Sequence, residues 1–348
     1  MLVLGIETSC DDTSLCLLEV KNLPHNKKIY TEILTLTSNQ DDVLNYWGGV
    51  VPEISARNHQ DKLPFLMNQI FEKAKVDFQQ IDLIGVTHRP GLIGPLMTGV
   101  NFAKAFSLLY EKPIYPVHHL LAHLQAVFLN PSTTPQYPYL GVLVSGGNGF
   151  LSIVKDSQDW EIIGFGLDDA PGEAFDKGGR MLQLGYPAGR IIDQLAKKGD
   201  PNFFPFPIGM KNNTSCDMSF SGVKTALRYY LEKNPPKEMS KSHLENICAS
   251  YQHAIVMGII ESIKKSRKLL NDKYHLNLDS LDIVIGGGVA ANSYLREKIS
   301  LVFPKSFFVE PKYCTDNATM VAHLAGLNHD KGLPYPDCLS FEVFSSCL

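Results

Sequence analysis

This 348-residue chain has little of what marks a membrane or secreted protein. No apolar run approaches the roughly 20 residues of a membrane span, and the start of the chain lacks a basic leader with a cleavage site. The seven cysteines are scattered, and none belongs to a Cys-x2-Cys pair, which argues against a disulfide framework. We therefore expect an unexported, cytoplasmic protein with no membrane segment.

The chain also lacks a strong charge of either sign, since its net charge is −4. Only one local basic cluster stands out, at residues 264–268, and a solvated helix face is its simplest explanation. Nucleic-acid binding would have to rely on local patches or on a partner protein. The composition, 44% hydrophobic and 20% charged, is that of an ordinary globular protein long enough for two domains.

One order of predicted elements occurs twice along the chain. A strand, a small or polar turn and a second strand are predicted at 2–20 and again at 139–154. A strand, a glycine turn and a helix are predicted at 81–94 and again at 281–289. This repetition predicts a duplicated α/β unit whose copies face each other, and the proline-rich segment 130–138 separates the copies.

A histidine pair near the end of the first copy has the spacing of metal ligands. A helix through 117–123 places His119 and His123 one turn apart on one face, and imidazole pairs suit several transition metals. A zinc peptidase would carry a Glu base directly after the first His, where this chain has Leu120. Two histidines that merely satisfy hydrogen bonds beside a core remain the alternative, because a third ligand is needed.

Glycine-rich turns could bind an anion. In the turns at 145–147 and 286–288, backbone N–H groups are unobstructed by side chains, although tight-turn geometry alone also explains these glycines. Neither turn matches a Walker or dinucleotide-binding motif. Asp176 could accept hydrogen bonds from a ribose, or could simply end a solvated helix. The segment 219–225 could bind a ligand or could be a capped helix start.

Eight short motifs occur in order from residue 5 to about residue 326. They are 5–11, 49–53, the His119/His123 pair, 144–147, 172–177, 220–222, 287–292 and 314–318. Together they resemble the TsaD family of tRNA N6-adenosine threonylcarbamoyltransferases.

The resemblance implies an α/β protein with the actin-like, Hsp70-like fold, in which two duplicated ribonuclease-H-like lobes enclose a central nucleotide cleft. Residues 1–130 would form the N-terminal lobe, completed by a C-terminal helix at about 316–348, and residues 131–315 would form the C-terminal lobe. We expect the last part of the chain, 332–348, to be irregular because it contains Pro334 and Pro336.

The resemblance also supplies the missing ligand. It implies that His119, His123 and Asp316 hold one divalent transition metal and act in catalysis through it, with Asp12 as a further catalytic residue. Fe²⁺ is favoured by the resemblance, and Zn²⁺ is the alternative. The implied substrate-binding residues are Val144, Ser145, Gly146, Gly147, Asn148, Asp176, Gly189, Asp193 and Asn292.

Three residues depart from the family pattern. The chain has Asp12 where the family usually has Glu, Arg89 where it has Gly, and Asn148 where it has His. Asn148 matters most, because an amide forms hydrogen bonds but does not change protonation near neutral pH.

The implied reaction moves a threonylcarbamoyl group from threonylcarbamoyl-AMP to N6 of adenosine 37 in tRNAs that read codons beginning with A. The implied protein partners are TsaB-like and TsaE-like proteins. The chain itself is expected to form a homodimer or a heterodimer. One alternative is an actin-like ATPase or sugar kinase, which would hold Mg²⁺ on carboxylates rather than on imidazoles. The other is an inactive binding module of the same fold, for which Asn148 is the main argument.

Overall fold

The protein folds into two compact units, and each unit contains one five-stranded sheet. A computed structural model describes residues 1–22, 28–40, 46–47, 49–211 and 213–346. Unit 1 comprises Met1–Ser132 and Asp316–Leu348, and unit 2 comprises Thr133–Thr315. Six cysteines within the described ranges are free thiols, and the seventh, Cys347, lies outside them.

The sheet of unit 1 is mixed, with strand order β3-β2-β1-β4-β5. Its strands are β1 (Leu2–Glu7), β2 (Thr13–Asn22), β3 (Lys28–Ser38), β4 (Leu83–Arg89) and β5 (Ile114–His118). The first three strands pair antiparallel, while β4 lies parallel to both β1 and β5.

The sheet of unit 2 repeats this topology, with strand order β10-β9-β6-β7-β8. Its strands are β6 (Tyr139–Val144), β7 (Gly149–Val154), β8 (Trp160–Phe165), β9 (Asp282–Gly286) and β10 (Ser306–Phe308). Again three antiparallel strands come first, followed by two that run parallel to the first strand of the unit. The duplicated α/β unit predicted from the sequence is confirmed.

Nine helices within the described ranges pack around these sheets. In unit 1 they are α1 (Pro52–Ala74), α2 (Ile93–Tyr110), α3 (His119–Gln125) and a C-terminal helix, Ala318–Leu327. In unit 2 they are α4 (Pro171–Met181), α5 (Gly189–Ala196), α6 (Ser221–Lys233), α7 (Lys241–Tyr274) and α8 (Ser293–Val302). The C-terminal helix is α9. No described helix is both long and apolar enough to cross a bilayer.

The C-terminal helix occupies only the first part of the segment 316–348 that was expected to complete the N-terminal lobe. Helix α9 ends at Leu327, and only short 3-10 turns follow it. Gly332, Pro334 and Pro336 disfavour a return to helix in the chain that follows. The irregular segment still packs on unit 1, since Cys338 is part of its hydrophobic core.

The central strands of unit 1 are apolar on both faces because helices cover both. Alternate residues of β1 point to opposite sides, so Leu4 and Ile6 join one core with residues of α1 and α2. Gly5, between them, faces α9. A strand buried on both faces needs no polar residue, which explains the continuous apolar pattern of β1.

Two glycines allow α9 to lie close on the sheet. A Cβ atom on Gly5 would lie 2.3 Å from the carbonyl oxygen of Ala318, and one on Gly85 would lie 2.6 Å from Cβ of Ala325. Both separations are too short for non-bonded atoms, so any side chain at either position would push α9 away from the strands. The position of the start of α9 therefore depends on these glycines.

Gly5→Ala should destabilise the protein by about 1–3 kcal/mol, because the added methyl group overpacks the contact with α9. Gly222→Ala is the matched control, since a Cβ atom there meets nothing within 4 Å. Urea unfolding of both variants and the parent measures the effect. Equal unfolding free energies for the two variants would contradict this account of the packing.

His323 makes unit 1 sensitive to acid. Its side chain is fully buried on α9, and neither ring nitrogen has a hydrogen-bond partner among the described residues. Burial, with a smaller effect from the positive charge of Lys28, lowers the pKa of His323 to about 3. In the unfolded chain the imidazole regains its ordinary pKa of 6.5, so below that pH the unfolded state binds a proton that the folded state does not.

His323→Leu should therefore lose less stability than the parent as the pH falls from about 6.5 towards 3. Each protonation that occurs only in the unfolded state lowers the free energy of unfolding by up to about 1.4 kcal/mol for each unit of pH decrease. Urea midpoints measured across this pH range test the difference. Parallel pH profiles for parent and variant would show that His323 is not responsible.

Candidate metal centre

Helix α3 places the two predicted histidine ligands side by side. It begins at His119, directly where β5 ends, so the predicted helix starts two residues later than residue 117. His119 and His123 lie one turn apart, with ring centroids 4.7 Å from each other and ring planes at 86°. Both side chains are buried, and both rings therefore face the same protein interior.

Asp316 joins the two histidines from the start of α9. Its Oδ1 atom lies 3.1 Å from Nε2 of His123 and 3.6 Å from Nε2 of His119. Asn317 caps the helix by accepting a hydrogen bond from the amide of Met320, which fixes the backbone next to the carboxylate. One donor atom from each of the three side chains falls within 4.8 Å of the other two. The structure thus brings together the three residues predicted as ligands.

A fourth residue, Glu7, completes the centre and was not predicted as a site residue. It ends β1, is fully buried, and places Oε2 3.1 Å from Nδ1 of His119. The hydroxyl of Thr87 donates to Oε2 at 2.6 Å, and the amide of Ser9 donates to Oε1 at 2.6 Å. A carboxylate behind an imidazole fixes its orientation and leaves the other nitrogen for a metal. The only sequence signal is an acidic residue that ends an apolar strand.

The imidazole of His119 lies between two carboxylates, Glu7 and Asp316, whose negative charges favour its protonated form. Burial alone would lower the pKa of His119, but the negative charges of Glu7 and Asp316 outweigh it and raise the pKa to about 9. Burial alone would raise the pKa of Asp316, but His119 and His123 hold it at about 2. The pKa of Glu7 is lowered in the same way, chiefly by His119 against the effect of burial. At neutral pH the proton on His119 provides the positive charge.

The donor set fits a single transition-metal ion. Two imidazoles and one carboxylate are typical ligands of Zn²⁺ and Fe²⁺. The second nitrogen of His123, Nδ1, is buried and has no hydrogen-bond partner within the described chain. The centre therefore combines converging donors with negative charge, and both favour a divalent cation.

The predicted substrate loop of unit 2 is the exposed tip of the β6–β7 hairpin. Ser145 and Asn148 close the turn through a hydrogen bond from the Ser145 amide to the Asn148 carbonyl, at 2.8 Å. Gly146 and Gly147 are exposed, and a Cβ atom on either would meet nothing within 4 Å. Val144 is buried at the end of β6, so only its backbone is available at this edge.

The second glycine turn lies directly beside this loop. Gly287 has a φ of +88°, and a Cβ atom there would lie 2.6 Å from the carbonyl oxygen of Val144. A side chain at this position would be strained and would also collide with β6. The two glycine turns are neighbours because β6 and β9 pair in parallel.

The remaining predicted substrate residues all have partners within unit 2. Asp176 accepts a hydrogen bond from the amide of Ala188 at 2.8 Å, immediately before Gly189 begins α5. Burial raises the pKa of the Asp176 carboxyl, although hydrogen bonds from the amides of Ala188 and Gly189 oppose this effect. Asp193 accepts from the hydroxyl of Ser293 at 2.9 Å.

Asn292 caps α8 by accepting from the amide of Leu295 at 2.9 Å, and its amide group donates to Gln252 at 2.7 Å. The capping bond ties Asn292 to the start of α8, at the end of the turn that follows β9. Structural contacts thus account for Asp176, Asp193 and Asn292. Their contact with a substrate stays a prediction.

Other motifs from the sequence also have defined positions. Asp12 lies partly exposed in the turn between β1 and β2 and is not one of the three converging residues. Arg89 ends β4, and its guanidinium lies 6.0 Å from the ring centroid of Phe344. The segment 219–225 is a capped helix start, because Asp168 accepts hydrogen bonds from Phe220 and Ser221.

The basic cluster on α7 has local partners. Lys264 pairs with Glu261, Arg267 forms two hydrogen bonds to Asp279, and Lys265 donates to the carbonyl of Met210. These contacts favour the interpretation of a solvated helix face.

The fold and the His-His-Asp centre define an actin-like α/β protein with a candidate metal site. The structure is similar to component A of (R)-2-hydroxyglutaryl-CoA dehydratase from Acidaminococcus fermentans, with a TM-score of 0.52 and 14% identity over 95% of this chain and 100% of that one. At this identity the likeness shows the fold alone, and the predicted actin-like fold is confirmed.

Sequence comparison shows the family. The profile of TsaD, described as tRNA N6-adenosine threonylcarbamoyltransferase, matches residues 32–323. A protein of that name from Thermosipho africanus is 42% identical over 96% of both chains, and one from Thermotoga neapolitana is 41% identical over 97% of both. The chain belongs to the TsaD family.

Metal affinity should rise by about tenfold per pH unit up to about pH 9, because the ion must displace the proton of His119, whose pKa is about 9. In Glu7→Gln the negative charge behind His119 is lost, so the plateau should begin at lower pH, while the affinity on the plateau falls about 10–100-fold. Calorimetric titration with Zn²⁺ or Co²⁺ at several pH values measures both effects. An affinity independent of pH would contradict the ligand role of His119.

Proposed function

We propose that this protein is an acyltransferase that moves a threonylcarbamoyl group from threonylcarbamoyl-AMP to N6 of adenosine 37 in tRNAs that read codons beginning with A. The new bond joins N6 to the carbamoyl carbon, the bond from that carbon to the phosphate oxygen breaks, and AMP leaves with the electron pair. N6 loses one proton. The observation that carries the proposal is the convergence of His119, His123 and Asp316 in a chain that matches the TsaD family.

His119, His123 and Asp316 would hold one divalent transition-metal ion, with Fe²⁺ favoured over Zn²⁺ by family resemblance. Such an ion, when bound, stabilises negative charge on an oxygen as a Lewis acid. Glu7 orients His119 and keeps Nε2 directed towards Asp316. Thr87 and the amide of Ser9 fix the Glu7 carboxylate in turn, so three parts of unit 1 hold one imidazole in place.

The chemistry requires positioning more than activation of the donor. The donor is a mixed anhydride and is already reactive, whereas the amine of adenine is a poor nucleophile because its lone pair is delocalised into the ring. The exposed amides of Gly146 and Gly147 suit the phosphate of the adenylate, since no side chain obstructs them. Asn148 can donate and accept hydrogen bonds there, but it does not transfer protons near neutral pH.

Hydrogen-bonding side chains around this loop suit the rest of the adenylate. Asp176, Asp193 and Asn292 present oxygen or amide groups near helix starts, and Gly189, the first residue of α5, adds no side chain there. Carboxylates recognise ribose hydroxyls as acceptors, and Asn can recognise a base edge. We therefore assign the adenylate half of the donor to unit 2.

Partner proteins of the TsaB and TsaE families complete the proposal. Ile93, Met97 and Leu108 are exposed on α2 at spacings of about whole helical turns, so they lie on one face. Exposed apolar stripes of this kind suit a protein interface. We propose that a TsaB-like protein in a heterodimer covers this face, with a homodimer as the alternative.

His119→Ala and Asp316→Ala should each lower the rate of transfer by about 100-fold or more, because loss of metal stabilisation costs several kcal/mol. His323→Leu, another buried histidine of unit 1, is the matched control and should transfer at the parent rate. The assay combines protein, threonylcarbamoyl-AMP, unmodified tRNA, Fe²⁺ or Zn²⁺ and partner proteins, and detects the modified nucleoside by mass spectrometry.

The same assay separates the alternatives. ATP turnover by the chain alone, without transfer, would indicate an ATPase or sugar kinase. Binding of tRNA or adenylate without either reaction would indicate an inactive binding module. Either result would overturn the proposed transferase function.

A further inference from the structure

Another buried histidine of unit 1, His59, holds the turn that connects β1 and β2. It lies on the first part of α1 and its side chain is completely buried. Its Nδ1 atom is 2.7 Å from Oγ1 of Thr13, and its Nε2 atom is 3.1 Å from the carbonyl oxygen of Cys10. These two contacts lie on either side of Asp11 and Asp12. One imidazole therefore spans both ends of the turn.

Hydrogen-bond chemistry determines which nitrogen carries the proton. A carbonyl oxygen only accepts, so Nε2 of His59 donates to Cys10, and the hydroxyl of Thr13 donates to the unprotonated Nδ1. Ser55, one helical turn earlier, also donates its hydroxyl to the Cys10 carbonyl. Burial lowers the pKa of His59, in agreement with a neutral ring. Each ring nitrogen has a defined partner.

The turn that His59 holds lies against the metal centre. At its start, the amide of Ser9 donates to Glu7, and the Ser9 hydroxyl is 3.3 Å from Nδ1 of His119. The next residue, Cys10, has a thiol whose pKa is raised by burial first and then by the negative charges of Asp11, Asp316 and Glu7. The contacts of Ser9 with Glu7 and His119 place the start of the turn at the metal centre. A shift of this turn would therefore move its side chains relative to the metal ligands.

Other contacts hold the start of the turn, among them the Ser55 hydroxyl on the Cys10 carbonyl. The amide of Leu92 donates to the Ser9 carbonyl at 2.9 Å, which anchors only the first residue. Asp12, which we expect to act in catalysis, lies in the chain between Cys10 and Thr13, the two residues that His59 contacts. The His59 ring thus ties together the two residues, Cys10 and Thr13, that flank the middle of the turn.

We propose that His59 is a positioning residue for the transfer reaction, an inference that rests on the proposed function. It binds neither metal nor substrate. By holding the Cys10 carbonyl and the Thr13 hydroxyl together, it keeps Asp12 at one place relative to Asp316. A displacement of a reacting group by about 1 Å can cost on the order of 100-fold in rate, so loss of this contact should lower kcat without removing the metal.

The test compares kcat, KM for tRNA, bound metal and unfolding free energy in a set of variants. His59→Leu removes both contacts, Thr13→Val removes one at nearly constant volume, and Asp12→Asn removes the charge of the positioned group. His323→Leu is the matched control, because it also replaces a buried histidine of unit 1 but lies outside the turn. His59→Gln tests rescue, since its amide can still donate to Cys10.

We expect kcat of His59→Leu to fall about 10–100-fold, with KM and metal content equal to those of the parent and of His323→Leu. Thr13→Val should lose less, and His59→Gln should recover part of the loss. Adding Asp12→Asn to His59→Leu should cause little further loss, because residues that act through one another are not additive. Thr13→Val and His59→Gln keep the test valid if His59→Leu does not fold.

Three results would overturn the inference while leaving the transferase intact. The first is a parent-like kcat in His59→Leu or Asp12→Asn. The second is a loss in the double variant that equals the product of the two single losses. The third is a loss of kcat that only follows the fraction of folded or metal-bound protein. A parent protein that transfers nothing under any of the conditions would instead contradict the proposed function itself.

Discussion

The contact between Glu7 and His119 is the constraint on which the candidate centre depends. Glu7 is fully buried, and its carboxylate is stabilised by the Thr87 hydroxyl, the Ser9 amide and the imidazole of His119. A buried carboxylate without such partners would be costly. With them, it directs Nε2 of His119 towards Asp316 and supplies negative charge that favours a cation. The geometry of the centre and its electrostatics therefore have a common origin.

Sheet topology explains why groups so distant in sequence meet. Strands β1, β4 and β5 run parallel to one another, so their carboxyl ends lie at one edge of the sheet. Glu7 ends β1, Thr87 is near the end of β4, and His119 follows β5 directly. Sites of open α/β sheets occur at this edge. Asp316 reaches this edge from the segment just before α9, because Gly5 and Gly85 let that helix lie close to the strands.

Local patterns in the sequence predicted the features that depend on neighbours in the chain. Alternating strands and glycine turns predicted the duplicated sheets, and four-residue spacing predicted that His119 and His123 share a face. Contacts across long stretches of chain have no local pattern: Glu7 meets a histidine 112 residues away, and Asp168 caps a helix more than 50 residues later. Asp316 was predicted only through family resemblance, whereas the irregular course of 332–348 was predicted from local composition and agrees with the structure, in which α9 ends at Leu327. Pro334 and Pro336 carried that prediction, because proline disfavours a continued helix.

The duplication has a consequence for how the two copies diverged. Glu7 and Val144 are the last residues of equivalent strands, and each precedes the turn of the first hairpin in its unit. One copy carries a buried acid at this position, while the other carries an aliphatic residue followed by serine and two glycines. A shared scaffold can thus accept opposite chemistries at matching backbone positions, because the sheet is held by main-chain pairing that neither choice disturbs. Either half can therefore carry its own residue at this position without altering the strand pairing of its sheet.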